Sequence, residues 1–216
     1  MGRQIHPRGF RLGISTAWDS QWYGLQRKQR QGQDWNHEME KLRELIRVLL
    51  HNENCLIGRI HMEFQPLLFQ IHVSILSSNN NDEKFNQVSK KIIRVLKRSN
   101  QLRYGTKIHI QFHQASWDEM DALLIGEWIV LELEKGTPFR PIKKTIQEWF
   151  QDKEAKKEIE GIRVQIKGRI QGAEIANKEW FCLGKVSLQT ITNPVDYAET
   201  RAYTLSGVLG VKIWLV

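Results

Sequence analysis

Cysteine, proline and long apolar runs are all scarce in this chain of 216 residues. Its two cysteines, Cys55 and Cys182, are too few and too far apart to indicate a disulfide scaffold or a zinc site. No apolar run reaches the ~18 residues expected of a transmembrane helix, and the mean hydropathy is −0.46. These shortages argue against a disulfide-rich secreted domain and against a membrane-spanning protein.

Sequence signatures of catalysis are also missing. The chain has no HExxH, GxSxG, Walker or GxGxxG motif, and its seven histidines are scattered. His109 and His113 share one predicted strand face, but a metal ion would need further ligands there. Glu132 and Glu134 lie about 200° apart on a predicted helix, so they do not form a general acid and base pair. We therefore predict no catalytic residue, no bound metal and no cofactor.

From the start of the chain we expect no targeting segment. Residues 1–13 lack the apolar stretch of a secretory signal, and they are too short and too poor in serine for a transit peptide. Residues 1–14 combine Gly, Pro and Arg without helical or strand periodicity, which predicts an extended basic arm that becomes ordered only on a partner. The arm carries three candidate phosphate ligands: Arg3, Arg8 and Arg11.

Basic residues outnumber acidic ones. The chain has 32 Lys and Arg against 24 Asp and Glu, a net charge of +8. The first 30 residues carry +5 and the last 56 carry +3, so both ends are suited to attract a polyanion. This balance predicts nucleic acid as the partner.

Helix and strand patterns in the first half predict an α+β fold. Apolar residues between Trp35 and Asn52 follow one helix face. Residues 56–64 and 67–76 read as two strands, the second with clear alternation. Asp82 is suited to cap a further helix, and residues 107–113 read as another strand.

Two helices are predicted next, over residues 118–134, where Gly136 ends the helix, and from Phe139 to about Ile159. The start of the second helix carries three cations: Arg140, Lys143 and Lys144. Cations at a helix N-terminus oppose the helix dipole. Because local electrostatics disfavours this placement, it indicates a binding function, unless a distant acid compensates.

The last 56 residues change to short β-rich runs separated by glycines. Arg163, Lys167 and Arg169 fall on one face of the first run, opposite Val164 and Ile166. This predicts a mostly antiparallel sheet with one packed side and one basic side. Farther on, the chain has a bare GxxG pattern without flanking cations, which we interpret as a tight turn: Gly207 to Gly210.

A family resemblance is carried by three stretches: the opening GRQIHPRGFRLGIS, the segment KGRIQGAEIANKEW, and GKVSLQTITNPVDYAETRAYTLSGVLGVKIWLV. They resemble small-subunit ribosomal protein S-three of the bacterial type. The resemblance covers residues 2–14 and 161–216 almost continuously and residues 138–150 more loosely.

The resemblance implies a basic N-terminal arm over residues 1–30, a KH-like domain of the bacterial type over 31–116, and a C-terminal α/β domain over 117–216. It implies a structural protein of the small-subunit head that binds ribosomal RNA and lines the channel where messenger RNA enters. Its implied protein partners are proteins ten and fourteen of the small subunit. Three arm arginines and three sheet cations would contact ribosomal RNA: Arg3, Arg8, Arg11, Arg163, Lys167 and Arg169.

The residues that contact messenger RNA are only partly matched. Bacterial relatives carry Arg-Arg-Ala-Met-Lys after a phenylalanine, and the two arginines and the lysine contact the incoming messenger. Here Arg140 and Lys144 match two of the three positions, Pro141 replaces the second arginine, and Lys143 adds a charge one step away. The resemblance therefore implies a messenger site at Arg140, Lys143 and Lys144 with one cation moved.

The loop of the KH-like domain departs further from the family. Relatives with a working loop carry Gly-Lys-Lys-Gly, which clamps the nucleic-acid backbone, whereas residues 76–82 read LSSNNND. This degenerate loop and the Phe10 form of the opening motif resemble plastid members. They imply a chloroplast ribosome in the stroma, with the bacterial cytoplasm as the alternative. The alternative function is a free nucleic-acid-processing enzyme of the nuclease or lyase type, although no metal cluster or activated lysine supports it.

Overall fold

Two units make up the chain: residues 18–116, which we call the middle unit, and residues 1–17 together with 117–216, which we call the C-terminal unit. The computed structural model describes residues 5–22, 29–51, 55–65, 68–76, 87–94, 107–114, 121–155 and 159–216. In chain order the elements are α1 (Pro7–Arg11), β1 (Ser20–Trp22), α2 (Gln29–His51), β2 (Leu56–Phe64), β3 (Leu68–Leu76), α3 (87–94), β4 (Lys107–Gln114), α4 (Ala122–Glu134), α5 (Phe139–Ala155), β5 (Gly161–Gly168), a 3-10 turn (Ile170–Gly172), β6 (Asn177–Gly184), β7 (Asp196–Thr204) and β8 (Gly207–Leu215).

The middle unit contains a mixed sheet in the order β1-β2-β3-β4. The β2–β3 pair is antiparallel with an irregularity between Ile57 and Ile60, whereas β1–β2 and β3–β4 are parallel. The sequence did not predict β1, which at three residues is too short to show alternation. The degenerate loop expected at residues 77–82 lies outside the described residues.

The core of the middle unit forms where the predicted helix face meets the inner side of the sheet. The buried residues of α2 recur every three to four positions: Met39, Leu42, Ile46 and Leu50. They join alternating residues of β3: Phe69, Ile71, Val73 and Ile75. Val88 and Ile92 of α3 are also buried there, as their spacing predicts. Helical and strand periodicity therefore identified this core.

The C-terminal unit contains a wholly antiparallel sheet in the order β6-β5-β8-β7. This confirms the predicted α+β class and the predicted antiparallel sheet. Helix α4 packs on β7 and β8, and α5 packs on β5. On α5 the buried face consists of Phe139, Ile142, Ile146 and Phe150.

Helix α4 is fixed at both ends. At its start the Ala122 N–H donates to the Asp196 carboxylate at 2.9 Å, whereas Asp121, the residue at the N-cap position, makes no side-chain capping hydrogen bond. At its end Gly136 has φ of +86°, and the Thr137 N–H donates to the Glu132 carbonyl at 3.0 Å. This is the Schellman arrangement that the glycine predicts. Within the described part of the chain, no helix is long and apolar enough to span a membrane.

Candidate nucleic-acid interface

The sheet of the C-terminal unit has one covered face and one largely open face. Val164 and Ile166 of β5 are fully buried on the covered side. Side chains alternate along a strand, so Arg163, Gln165 and Lys167 lie on the opposite side. We call that side the outer face.

Three cations form a line across the outer face. Lys167 pairs in register with Lys178 on β6 and with Gly210 on β8, and Gly210 pairs with Arg201 on β7. All three cations are exposed. We call Lys178, Lys167, Gly210 and Arg201 the cationic row. Because neighbouring strands lie about 4.8 Å apart, the row spans roughly 14 Å.

Arg163 differs from the prediction that it is an exposed RNA ligand. Its side chain is only 8% exposed, and its guanidinium carbon lies 5.0 Å from the Trp180 ring centroid and 5.3 Å from that of Trp214. Both contacts are in the range of cation–π interactions. Trp180 itself is 54% exposed. Arg163 therefore supports an exposed tryptophan and does not itself present a charge to a ligand.

Arg169 lies just beyond β5 and connects two turns. Its Nε donates to the Ala173 carbonyl at 2.7 Å, and its Nη1 donates to the Ser206 carbonyl at 3.3 Å. The first carbonyl follows the 3-10 turn, and the second belongs to the turn between β7 and β8. Although exposed, Arg169 uses part of its guanidinium within the protein. Of the three predicted sheet cations, Lys167 is thus the one that lies both exposed and in the row.

A neighbouring ion pair neutralises the carboxylate beside the row. Lys212 Nζ lies 3.3 Å from Glu199, and the Tyr197 hydroxyl donates to the same carboxylate at 3.0 Å. Burial alone would raise the pKa of Glu199, but the hydrogen bonds from Tyr197 and Lys212 outweigh it and leave that pKa below its usual value. Burial, with the Glu199 contact, raises the pKa of Tyr197. Glu199 therefore stays ionised and paired at neutral pH.

The N-terminal segment differs most from its prediction, because residues 5–16 are structured and pack on residues 117–216 of the same unit. Arg11 on α1 is fully buried. Its guanidinium donates to carbonyls of the segment after β6, with the shortest bonds to Thr190 at 2.7 Å and Asn193 at 2.8 Å. Burial lowers the pKa of Arg11. The predicted phosphate ligand is occupied by protein carbonyls, so the expectation of an arm ordered only by RNA is wrong for this segment.

The other two arginines of the arm have different surroundings. Arg8 is partly buried on α1, and its carbonyl accepts a hydrogen bond from the Thr16 hydroxyl at 3.4 Å. Arg3 lies outside the described residues. Their assignment to ribosomal RNA stays a prediction.

The start of α5 presents its cations as the spacing predicts. Arg140 and Lys144 are exposed, and Lys143 is partly buried. The Lys143 ammonium lies 5.7 Å from the ring centroid of Phe181, a buried residue of β6. Two of the three cations are therefore available to a ligand, and the third also packs on the protein.

Comparisons with known proteins identify the family. Residues 129–215 match the model for ribosomal protein S3, C-terminal domain. Small ribosomal subunit protein uS3 of Sulfurihydrogenibium sp. (strain YO3AOP1) is 34% identical over 100% of this chain and 89% of the relative. The uS3 of Thermotoga maritima is 29% identical, over 100% of this chain and 97% of the relative. The uS3c of Gracilaria tenuistipitata var. liui is 33% identical, over 100% of this chain and 94% of the relative.

The chain belongs to the uS3 family of small ribosomal subunit proteins. The three relatives bear names of ribosomal proteins and not of enzymes, which agrees with the prediction of no catalytic role. The uS3 family model covers the second half of α4, from residue 129, and everything from α5 to β8. It therefore includes the whole outer face.

Three residues of this candidate interface were not predicted from the sequence. Lys178, Trp180 and Arg201 lie on strands β6 and β7, and only the strand register brings them beside Lys167. Alternation within each strand gives the face of a residue but not the neighbouring strand. The spacing of Lys178 and Trp180, two residues apart in a strand, predicts that their side chains lie on the same face of the sheet.

Histidines gather on the outer side of the middle-unit sheet. His72 Nδ1 and His113 Nε2 lie 3.3 Å apart, and His61 Nε2 lies 3.1 Å from Glu63. Burial, followed by the neighbouring His113, lowers the pKa of His72. Among the described residues, no group of three or more His, Cys, Asp or Glu is arranged to hold a metal. The neighbour of His113 is thus His72 on β3, a contact that the sequence did not indicate.

Proposed function

We propose that the chain is a structural constituent of the small ribosomal subunit head and binds ribosomal RNA through the outer face of its C-terminal unit. The observation that carries the proposal is the cationic row: three exposed cations beside an exposed tryptophan. Cations attract phosphates whatever the base sequence, and an aromatic ring offers a stacking surface for a base. Family membership over the full chain supports the same role.

We further propose that Arg140, Lys143 and Lys144 line the channel where messenger RNA enters. Their positions, i, i+3 and i+4 on α5, bring them to one side of the helix. The helix dipole opposes cations there, so a binding role accounts for a placement that helix stability does not favour.

For the middle unit we propose a KH-like fold with a degenerate loop. Support comes from the order α2, β2, β3, α3, β4 and from the helices' packing on one side of the sheet. Proteins ten and fourteen of the small subunit are the proposed protein partners. We propose a chloroplast ribosome as the location, with the bacterial cytoplasm as the alternative, because the relatives include both uS3 and uS3c proteins.

Sedimentation tests the proposed function. The full chain, tagged and expressed in an organelle or cell with matching ribosomes, should sediment almost entirely with small subunits and should show no turnover of nucleic acid when purified. Replacing Lys167, Lys178 and Arg201 together by Ala should move a large fraction to the unbound pool. Lys135→Ala controls for loss of a cation elsewhere in the same unit, because Lys135 pairs with Glu132 on α4, which packs on the covered face. A wild-type chain that stays unbound would refute the proposal, and nuclease turnover would favour the enzymatic alternative.

A further inference from the structure

Gly210 lies in the middle of the cationic row, and nothing inside the protein requires a glycine there. It is in the interior of β8, and its φ is outside the left-handed region that favours glycine. A Cβ built on Gly210 meets only the Lys167 carbonyl oxygen, at 3.9 Å, which is an ordinary contact. Glycine weakens a strand interior, and at such positions it often marks close approach by a ligand.

Other glycines of this sheet have clear internal reasons. Gly207 begins β8 with φ of +124°, after the turn from β7, as the tight-turn interpretation predicts. Gly168 has φ of +143°, and a Cβ there would lie 2.7 Å from a Leu209 methyl group. The tight-turn interpretation therefore holds for Gly207 but not for Gly210, which needs another explanation.

The missing side chain of Gly210 leaves a notch on the outer face. Leu209 and Val211 are buried on the covered side, so the Gly210 hydrogen that takes the place of a side chain points to the outer face. Lys167 and Arg201 flank the notch on the two neighbouring strands. They are two strands apart, which is roughly 10 Å. A ligand backbone lying in the notch would have a cation on each side.

Trp180 lies on β6, two strands from Gly210 and two residues along from Lys178 of the cationic row, and it is held in place. One side of its ring is contacted by the Arg163 guanidinium, and 54% of the residue remains exposed. Lys178 of the cationic row is on the same strand face, two residues away, at a spacing of about 7 Å. A base stacked on Trp180 would therefore have its backbone near the cations.

We propose that the Gly210 notch holds the sugar–phosphate backbone of a single-stranded RNA segment, with Lys167 and Arg201 on its phosphates and a base stacked on Trp180. This inference rests on the proposed function and specifies the position at which the RNA binds. The chemistry favours RNA over an acidic protein segment, because an exposed indole beside a line of cations matches the alternation of base and phosphate.

The test is to fill the notch without changing any charge. Gly210→Ala and Gly210→Val are introduced into the full chain. Two quantities are measured for each variant: its affinity for a mixed-sequence single-stranded RNA of about 20 nucleotides, and the fraction of the protein that is incorporated into small subunits. We expect about fivefold weaker RNA binding for Ala, more than tenfold for Val, and an unchanged or higher melting temperature for both. The salt slope should stay as in wild type, whereas Lys167→Ala should reduce it by about 0.7. Ala173→Val is the control, because it adds bulk at another exposed position of the same unit.

Each other outcome is informative. Wild-type affinity and assembly in Gly210→Val would overturn the inference, and a lowered melting temperature would do so by giving Gly210 an internal structural role. Normal RNA binding with failed assembly would mean that the notch receives a protein and not RNA. A wild-type chain that neither binds RNA nor joins subunits would instead refute the proposed function.

Discussion

At the scale of single residues, Arg11 shows how a cation can serve the protein itself. Phosphate oxygens and backbone carbonyls are both acceptors, and a guanidinium with five N–H donors suits either. Arg11 donates to the carbonyls of Pro7, Ser187, Leu188, Thr190 and Asn193. These acceptors come almost entirely from the segment after β6, so the sequence near Arg11 contains no sign of them. Local sequence reasoning therefore assigned the residue to RNA.

Removing the Arg11 guanidinium should weaken the fold. Arg11→Met keeps much of the apolar stem but leaves several carbonyls without their donor, and each unsatisfied buried group costs about 1–3 kcal/mol. We expect the free energy of unfolding to fall by about 3 kcal/mol, measured by urea denaturation of the full chain. Arg140→Met, at an exposed position, should change it by less than about 0.5 kcal/mol. Equal stability of the two variants would show that the buried network contributes little.

At the scale of elements, local patterns predicted what local physics determines. Helix faces, the strand positions and the glycine end of α4 followed from periodicity and backbone preference. Features that depend on residues far away along the chain were not predictable from local patterns. The N-terminal cap of α4 comes from Asp196, 74 residues away, and the neighbours of Lys167 follow from the strand register. The outer face was thus predicted as basic, but its aromatic residues and its glycine notch were not.

The C-terminal end of α4 should make stability depend on pH. Lys135 donates to Glu132 at 2.7 Å and the Thr137 hydroxyl donates at 3.1 Å. These bonds, led by Lys135, hold the pKa of Glu132 below its usual value of 4.5. A depressed folded-state pKa gives stabilisation that is complete above the unfolded-state pKa and is lost as pH falls through the folded-state value.

Glu132→Gln measures this contribution. We expect the variant to be less stable than wild type at pH 7, by up to about 1 kcal/mol as for an exposed ion pair. The difference should shrink as pH falls below 4.5, because protonated Glu132 resembles glutamine. Urea denaturation at a series of pH values checks it, with Glu148→Gln on α5, an exposed carboxylate, as the control. A gap that is constant with pH would mean that charge at Glu132 is unimportant.

At the scale of the whole molecule, the position of charge matters more than its amount. Residues 1–17 and 117–216, which form one unit, contain 17 Lys and Arg and 15 Asp and Glu. That unit is therefore nearly neutral overall. Its exposed cations nevertheless include Lys167, Lys178 and Arg201 on the outer face of the sheet, and Arg140 and Lys144 at the start of α5, where phosphates can approach. Charge counts along the sequence pointed to nucleic acid, and only strand alternation and helix spacing indicated these two surfaces.

The two cationic surfaces should be separable by function. Replacing Arg140, Lys143 and Lys144 by Ala should leave subunit assembly nearly intact, because the outer face is unchanged. Translation of messengers with a stable hairpin after the start should slow, and unstructured messengers should be little affected, since point charges act on phosphates whatever the sequence. Removing three cations should flatten the salt dependence of messenger binding by roughly 2.

Lys143 needs separate treatment in this experiment because it also contacts the Phe181 ring. Losing that contact costs about 0.5–1 kcal/mol at an exposed site, so the triple variant combines a stability effect with a charge effect. The double variant Arg140→Ala/Lys144→Ala changes only exposed cations. It should retain wild-type stability, still slow structured messengers, and flatten the salt dependence by about 1.4. Equal translation rates on structured and unstructured messengers in the double variant would show that these residues are solvated surface residues without a role in messenger binding. Failed assembly of the double variant would reassign them to ribosomal RNA.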